Sequence, residues 1–253
     1  MKVTLIGAGP GDPELITLKG IKALQQARVV LYDALVHPDL LAHCPSDCVK
    51  VHVGKRFGKH SASQDVINYM IVEYALQYGE VVRLKGGDPY VFGRGYEEVE
   101  FAAKHGIESE VIPGISSSYA VPALAGIPLT SRGVSESFWV VTGTTKSHLL
   151  SSDLVLAAQS SATVVVLMGV HKLPEIVEIY SQLNKFDEPI AIIQNGSLPT
   201  QKVVTGKISN ILPLAQICAI SSPAIIVIGK AASLPDQLNG CVQAITQKKD
   251  LMS

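Results

Sequence analysis

The chain has 253 residues, of which 47% are apolar and 17% charged, and its formal net charge is −1. That length suits one large domain or two small ones with a proper buried core, and the apolar content excludes a disordered chain. Near-neutral charge gives no global support for nucleic acid as a partner, and the longest apolar runs, TVVVLMGV and AIIVIG, are too short to span a bilayer as a helix.

The chain opens on MKVTLIGAG, which enters a strand-like run without a charged n-region and apolar h-region. The expectation is a cytoplasmic protein with no membrane association. VTLIG reads as a short buried strand, and GAGPGD follows it. A dinucleotide fingerprint is G-x-G-x-x-G after a first strand. Gly7 and Gly9 fit that pattern, but Asp12 stands where the third glycine belongs. An acid there repels a pyrophosphate, and Pro10 lacks the N–H that a phosphate cradle uses. Asp33, about 20 residues on, does have the spacing of a ribose-binding acid. The loop chemistry favours a neutral or cationic ligand; a tight turn with Asp12 capping the segment at Pro13 is the alternative.

PELITLKGIKALQQA reads as one helix, with Pro13 in its first turn. RVVLYD is the next strand and places Asp33 at its end, where a carboxylate serves as a base, a cap or a surface group. The four cysteines, Cys44, Cys48, Cys218 and Cys241, are expected to be free thiols. His43, Cys44 and Cys48 have no second ligand pair to answer them, so no metal is expected. VKVHVG is a strand, and HVGKRFGKHS after it carries Lys55, Arg56 and Lys59 with no acid until Asp65. Such a basic loop is either a solvated charge run or a seat for an acidic substrate, with Lys55 available for proton chemistry if desolvated.

SQDVINYMIVEYALQY places Ile67, Met70, Ile71, Tyr74, Ala75 and Tyr78 on one helix face. EVVRLK is a strand, and KGGDPYVFGRG after it sets Gly86 and Gly87 at a strand end, where ligands bind in α/β sheets. GRGYEEVEFAAKHG is a helix closed by Gly106. EVIP leads through PGISS into the small-residue helix ISSSYAVPALAG, interrupted by Pro122. IPLTSRGVSES has no periodicity.

The alternation then restarts. FWVVTG, TVVVLMG, PIAIIQNG, QKVVTGKI and AIIVIG read as strands; LSSDLVLAAQ, HKLPEIVEIYSQLNK and the stretch around Ile208 to Cys218 read as helices. The expected fold is therefore α/β, with two α/β domains, residues 1–132 and 133–240, a tail at 241–253, and ligands in the cleft between the domains. All five arginines (Arg28, Arg56, Arg83, Arg94, Arg132) precede Gly133, so an anionic ligand leans on the first domain. No G-x-S-x-G elbow or Walker loop is present.

In order, VTLIGAGPGDPELITLKG, LYDALV, VGKRFGKHSASQ, VVRLKGGDPYVFGRG, EVIPGISS, AGIPLTSRG, VVTGT, VVVLMG and SPAIIVIG closely resemble the tetrapyrrole methylase family, over roughly residues 2–235. The resemblance implies a two-domain α/β fold and S-adenosyl-L-methionine as cofactor, released as S-adenosyl-L-homocysteine. GAGPGD then borders a cofactor whose sulfonium is positive. By the same resemblance Pro10, Gly86, Gly87, Asp88, Val91, Ser116, Ser117, Met168, Gly196 and Ala224 line the cofactor. Asp33 matches the family's proposed proton acceptor and Lys55 its proposed donor. Arg132 faces the substrate, with Arg56, Lys59 and Arg94 adding positive charge for a polycarboxylate. The family often has Thr or Ala where this chain has Ser116 and Ser117.

The implied reaction is C-methylation of uroporphyrinogen III at C2 and C7, giving precorrin-2 by way of precorrin-1, in a homodimer. No dehydrogenase–ferrochelatase module, fused in some relatives, is seen here, so methylation alone is expected. The rival readings are a sister enzyme acting on a later precorrin, a dinucleotide-dependent oxidoreductase using GAGPGD and Asp33, and a binding module without turnover.

Overall fold

The computed structural model describes residues 1–54 and 63–234. Lys55, Arg56 and Lys59, and the tail at 241–253, lie outside the described residues. The chain divides into two compact units, Met1–Ser117 and Ser118–Ser253.

The first unit is built from β1 (Lys2–Gly7), α1 (Leu18–Leu24), β2 (Val29–Tyr32), β3 (Val49–His52), α2 (Gln64–Tyr78), β4 (Glu80–Lys85), α3 (Gly95–Lys104) and β5 (Glu108–Ile112). Its strands pair in the order β3-β2-β4-β1-β5, and every pairing is parallel. Parallel strands are covered on both faces, so side chains of both parities are apolar. Leu5, Val29 and Leu31 face a core with Ile71 and Ala75 of α2, whereas Ile6, Val30 and Leu84 face another with Leu24 and Leu40. Each fully buried aliphatic side chain of this kind contributes about 1.5–3 kcal/mol.

Local signals set the helix ends. Ser63 caps α2 by accepting from the Val66 N–H at 3.3 Å, and Gly79 closes it at φ 80°, a conformation that favours glycine. The expected helix over PELITLKGIKALQQA is two pieces: a 3-10 turn at Pro13–Leu15 and then α1. Thr17 makes the break. Its backbone is extended and its hydroxyl accepts from the Gly20 N–H at 3.1 Å, which starts a new helix rather than continuing the old one.

The second unit carries α4 (Ser117–Leu124), whose first residue is still in the first unit, then β6 (Phe138–Thr142), α5 (Asp153–Gln159), β7 (Thr163–Leu167), α6 (Leu173–Gln182), β8 (Pro189–Gln194), β9 (Lys202–Lys207), α7 (Ile211–Ile217) and β10 (Ala224–Ile228). Its order is β6-β7-β10-β8-β9. This sheet is mixed: β6 and β7 run parallel, and β10 is antiparallel to both β7 and β8. One face packs Val164, Val166, Ile192 and Ile226 against the helices α5, α6 and α7. On the other, Val165, Ile193 and Val227 pack with Val121 and Ile127. That packing draws the unit boundary to Ser117/Ser118, ahead of the break expected at 132/133. The polar stretch around Arg132 is a turn bridged at Ser131 and Ser135, within the second unit. Among the described residues no helix is long and apolar enough to cross a membrane.

Candidate active site

Three glycine-bearing loops follow adjacent strands of the first sheet, GAGPGD after β1, GGDP after β4 and PGISS after β5. The strands are parallel, so all three loops emerge at one edge. Their backbones touch. Gly9 and Gly87 form a two-hydrogen-bond bridge, the Gly9 N–H donating to Gly87 O at 3.2 Å and the Gly87 N–H to Gly9 O at 2.7 Å. A Cβ on Gly114 would stand 2.3 Å from Gly87 O and 2.6 Å from Gly7 Cα, closer than any real side chain is tolerated. Asp88 ties the same loops together: Oδ2 accepts from the Gly114 N–H at 3.0 Å and Oδ1 from the Tyr90 N–H at 2.8 Å. Asp12 caps its turn, accepting from the Glu14 N–H at 2.9 Å.

This geometry decides the fingerprint question. A pyrophosphate needs free backbone N–H groups at the first turn. Here the Ala8 N–H donates to Lys85 O at 2.7 Å, that of Gly9 is in the bridge, and Pro10 has none. What the loops do leave is space: a Cβ on Gly87, at φ 67°, would meet nothing within 4 Å.

Asp33 stands just past β2, beside β4, and belongs to a cluster that sequence reading did not single out. Arg83 and Lys85 lie two apart on the central strand and so share a face. Arg83 Nη2 donates to Asp33 Oδ1 at 2.5 Å and its Nε to Glu98 Oε1 at 3.1 Å. Lys85 Nζ donates to Glu98 Oε1 at 2.9 Å and stands 3.8 Å from Asp33 Oδ2. Gln64 adds a third donor to Glu98 Oε1, at 3.2 Å. Arg83, Lys85 and Glu98 are buried, whereas the Asp33 side chain keeps 28% of its exposure. Burial, and then the Arg83 charge, lower the Lys85 ammonium from its ordinary value, with Glu98 and Asp33 pulling the other way. The sequence signal was available: two cations at alternate positions in a strand flanked by apolar strands.

Residues 2–212 match the family model described as Tetrapyrrole (Corrin/Porphyrin) Methylases. The chain belongs to the tetrapyrrole methylase family. It is 46% identical to the uroporphyrinogen-III C-methyltransferase of Methanocaldococcus jannaschii, over 93% of this chain and 98% of that one. Among solved structures it is similar to the Thermus thermophilus uroporphyrin-III C-methyl transferase complexed with S-adenyl homocysteine, with a TM-score of 0.78 and 37% identity, covering 91% of this chain and 93% of that one. It is also similar to a cobalt precorrin-4 methyltransferase, with a TM-score of 0.81 and 27% identity, over 91% and 95% of the two chains. The chain spans about half the length (49%) of the sirohaem synthase of Actinobacillus pleuropneumoniae serotype 7 that it also matches.

The other expected site residues of this tetrapyrrole methylase fall into three sets. Pro10, Gly86, Gly87, Asp88, Ser116 and Ser117 lie at the carboxyl edge of the first sheet, and exposed Val91 follows Asp88. In the second unit, Met168 follows β7, Gly196 follows β8 and Ala224 opens β10. Because β10 runs antiparallel to its neighbours, pairing Ala224 with Gln194 and Ile225 with Leu167, these three share one edge of the second sheet. Met168 is 53% exposed and left-handed at φ 55°, its carbonyl accepting from the Thr144 hydroxyl at 3.1 Å. Gly196 abuts Val121, whose Cγ1 would lie 2.2 Å from an added Cβ.

The third set is cationic. Arg94 is exposed and engaged by its neighbour: Nε and Nη2 donate to the Glu97 carboxylate at 2.9 and 2.7 Å, and that partner raises the Arg94 guanidinium above its ordinary value. Arg132 is exposed in the second unit, so the arginines do not all fall in the first unit as the sequence suggested. Lys55, Arg56 and Lys59 are outside the described residues. Cys44 and Cys48 are buried free thiols, and burial pushes Cys44 up to about 11. Among the described residues no group of His, Cys, Asp and Glu side chains is placed to hold a metal.

The loops fit S-adenosyl-methionine. The Ala8, Gly9 and Gly87 amides are already hydrogen-bonded and Pro10 has none, so the first turn suits a phosphate-free ligand. A Cβ on Gly87 would meet nothing within 4 Å, and both oxygens of the neighbouring Asp88 are occupied.

Proposed function

We propose that this chain is an S-adenosyl-methionine-dependent uroporphyrinogen-III C-methyltransferase. It methylates C2 and C7 of the reduced tetrapyrrole and yields precorrin-2 by way of precorrin-1. The observation that carries this reading is the pairing, at one sheet edge, of glycine loops whose first turn offers no phosphate cradle and a partly exposed carboxylate, Asp33, held by buried cations. Near-full-length similarity to the M. jannaschii uroporphyrinogen-III C-methyltransferase supports the choice of substrate over a later precorrin.

When bound, S-adenosyl-methionine supplies an electrophilic methyl group on a positive sulfur and leaves as the neutral thioether. Gly86, Gly87, Asp88, Ser116 and Ser117, at the carboxyl edge of the first sheet, hold it. Fixing both reactants removes much of the entropic barrier. Methylation makes the attacked carbon quaternary and leaves positive charge on the pyrrole, and loss of a proton from elsewhere on the macrocycle discharges it. Asp33 takes that proton; its Oδ1 is anchored by Arg83, and its exposure gives the substrate access. Lys55 returns a proton elsewhere on the macrocycle. Arg56, Lys59, Arg94 and Arg132 attract the substrate carboxylates, with Arg94 exchanging its Glu97 partner for one of them. The enzyme works as a homodimer in the cytoplasm.

Calorimetric titration tests the ligand assignment. Binding of S-adenosyl-homocysteine with no binding of NADH is expected; the reverse would return the chain to the oxidoreductase reading.

A further inference from the structure

The proton acceptor proposed above has a competitor within reach. Asp33 presents two oxygens. Oδ1 is held by Arg83 at 2.5 Å, and Oδ2 has Lys85 Nζ 3.8 Å away, too far for a hydrogen bond. A buried ammonium that near a carboxylate is drawn to close on it. It is held back by Glu98, whose Oε1 accepts from the same Nζ at 2.9 Å.

Glu98 is an expensive way to satisfy Lys85. Its side chain is fully buried, at 0% exposure. Oε1 collects three donors, from Arg83, Lys85 and Gln64, while Oε2 has no hydrogen-bond partner among the described residues. A buried carboxylate oxygen left without a donor costs free energy. A buried ion network is also weak evidence for stability, since apolar residues of the same volume often serve better. The arrangement is therefore explained by what it does to the rest of the cluster. All three donors, two from β4 and one from α2, are gathered on Oε1, and the result is to hold Lys85 against Glu98.

We propose that Glu98 is a positioning residue for the methyl-transfer reaction: it restrains Lys85 and thereby keeps Asp33 Oδ2 open to receive the substrate proton. This rests on Asp33 being the proton acceptor of the proposed methyltransferase. Without the Glu98 charge, Lys85 swings across the short gap to Asp33 Oδ2. The base is then capped by two cations and no longer accepts a proton readily. Glu98 touches neither substrate nor cofactor in this scheme; it acts through Lys85.

The test uses the full chain, with S-adenosyl-methionine and reduced uroporphyrinogen III, and compares Glu98→Gln, Lys85→Met and the double variant. Glu98→Gln is expected to lower kcat at least about tenfold with KM for S-adenosyl-methionine within about twofold, the pattern of a lost transition-state interaction. In the double variant no ammonium remains to close on Asp33, and kcat is expected to recover to within about threefold of Lys85→Met alone, a non-additivity that marks coupled residues. A purely structural Glu98 lowers the folded fraction of Glu98→Gln and leaves kcat per folded molecule unchanged. Unchanged kcat in Glu98→Gln overturns the proposal, as does a double variant no faster than Glu98→Gln. If Glu98→Gln shows no cooperative unfolding transition, the charge-balanced double variant is compared with Lys85→Met, and a kcat difference beyond about threefold overturns the proposal. Absence of methyl transfer by the unaltered chain removes the functional reading and this inference with it; transfer by the unaltered chain combined with either negative result removes the role of Glu98 alone.

Discussion

Arg83, Lys85 and Glu98, the buried charged side chains of the described residues, all lie in the first unit. The buried polar groups of the second are Ser118, Ser135, Thr163 and Gln194, and none is charged. Three of them show how the second unit satisfies polarity locally. The Thr163 hydroxyl donates to Ser135 Oγ at 3.0 Å, and Gln194 Oε1 accepts from the Ser221 N–H at 2.8 Å. Neutral bonds of this kind are made within a tightly packed aliphatic sheet. The first sheet instead places two cations on its central strand and must hold them with carboxylates. The difference bears on the proposed function: the proposed proton acceptor, Asp33, and the buried charges that hold it all belong to the first unit.

That division breaks most visibly at Asp33. Asp33→Asn keeps the side-chain shape and removes the base. A loss of about 10²–10⁴-fold in kcat is expected, with S-adenosyl-homocysteine affinity unchanged by calorimetry. An equally hard blow to affinity would move Asp33 from chemistry to binding. A core truncation in the other unit should do the opposite. Ile226 is fully buried in β10, and Ile226→Ala is expected to lower unfolding free energy by about 2–5 kcal/mol, read by urea denaturation, while kcat per folded molecule stays the same.

At the edge of the second sheet the effect is smaller and falls on binding. Met168→Ala should raise KM for S-adenosyl-methionine about fivefold, the scale of losing part of an apolar contact, with kcat little changed. A fall in kcat would show that the second unit shares in the chemistry. The smallest effect belongs to the surface of the first unit. Glu110 bridges Lys19 and Lys2 at 2.6 and 2.7 Å, and those partners hold its carboxyl down to about 2. A carboxyl lowered in the folded state stabilises above its unfolded value and loses that contribution as pH falls toward about 2. The pair is solvated, so Glu110→Gln should cost less than about 1 kcal/mol at neutral pH. It should also flatten the fall in stability on acidification below the ordinary carboxylate range.

Much of this organisation was legible in the sequence. Short apolar runs separated by helical periodicity located the ten strands of the described residues, VTLIG through AIIVIG, because burial on both faces leaves a continuous apolar signature. Asp12 and Pro10 argued against a phosphate loop before the Gly9–Gly87 bridge showed where the amides go. The rest depended on tertiary neighbours. Periodicity cannot say which sheet a helix packs on, so Val121 and Ile127 were read with the first domain although they pack on the second sheet. Thr17 broke a helix that apolar spacing alone continues. Glu98 sits on α3 among the exposed acids Glu97 and Glu100 and differs from them only in facing β4. Its burial is a property of the fold, and only the unusual Arg83 and Lys85 pair on the strand it meets hinted at it.

The most direct test is a mass spectrum of the tetrapyrrole after anaerobic incubation of the chain with S-adenosyl-methionine and freshly reduced uroporphyrinogen III. Gain of two methyl groups is the result predicted. Unmodified uroporphyrinogen III, from a protein that still binds S-adenosyl-homocysteine, would contradict the assigned substrate and point to a later precorrin.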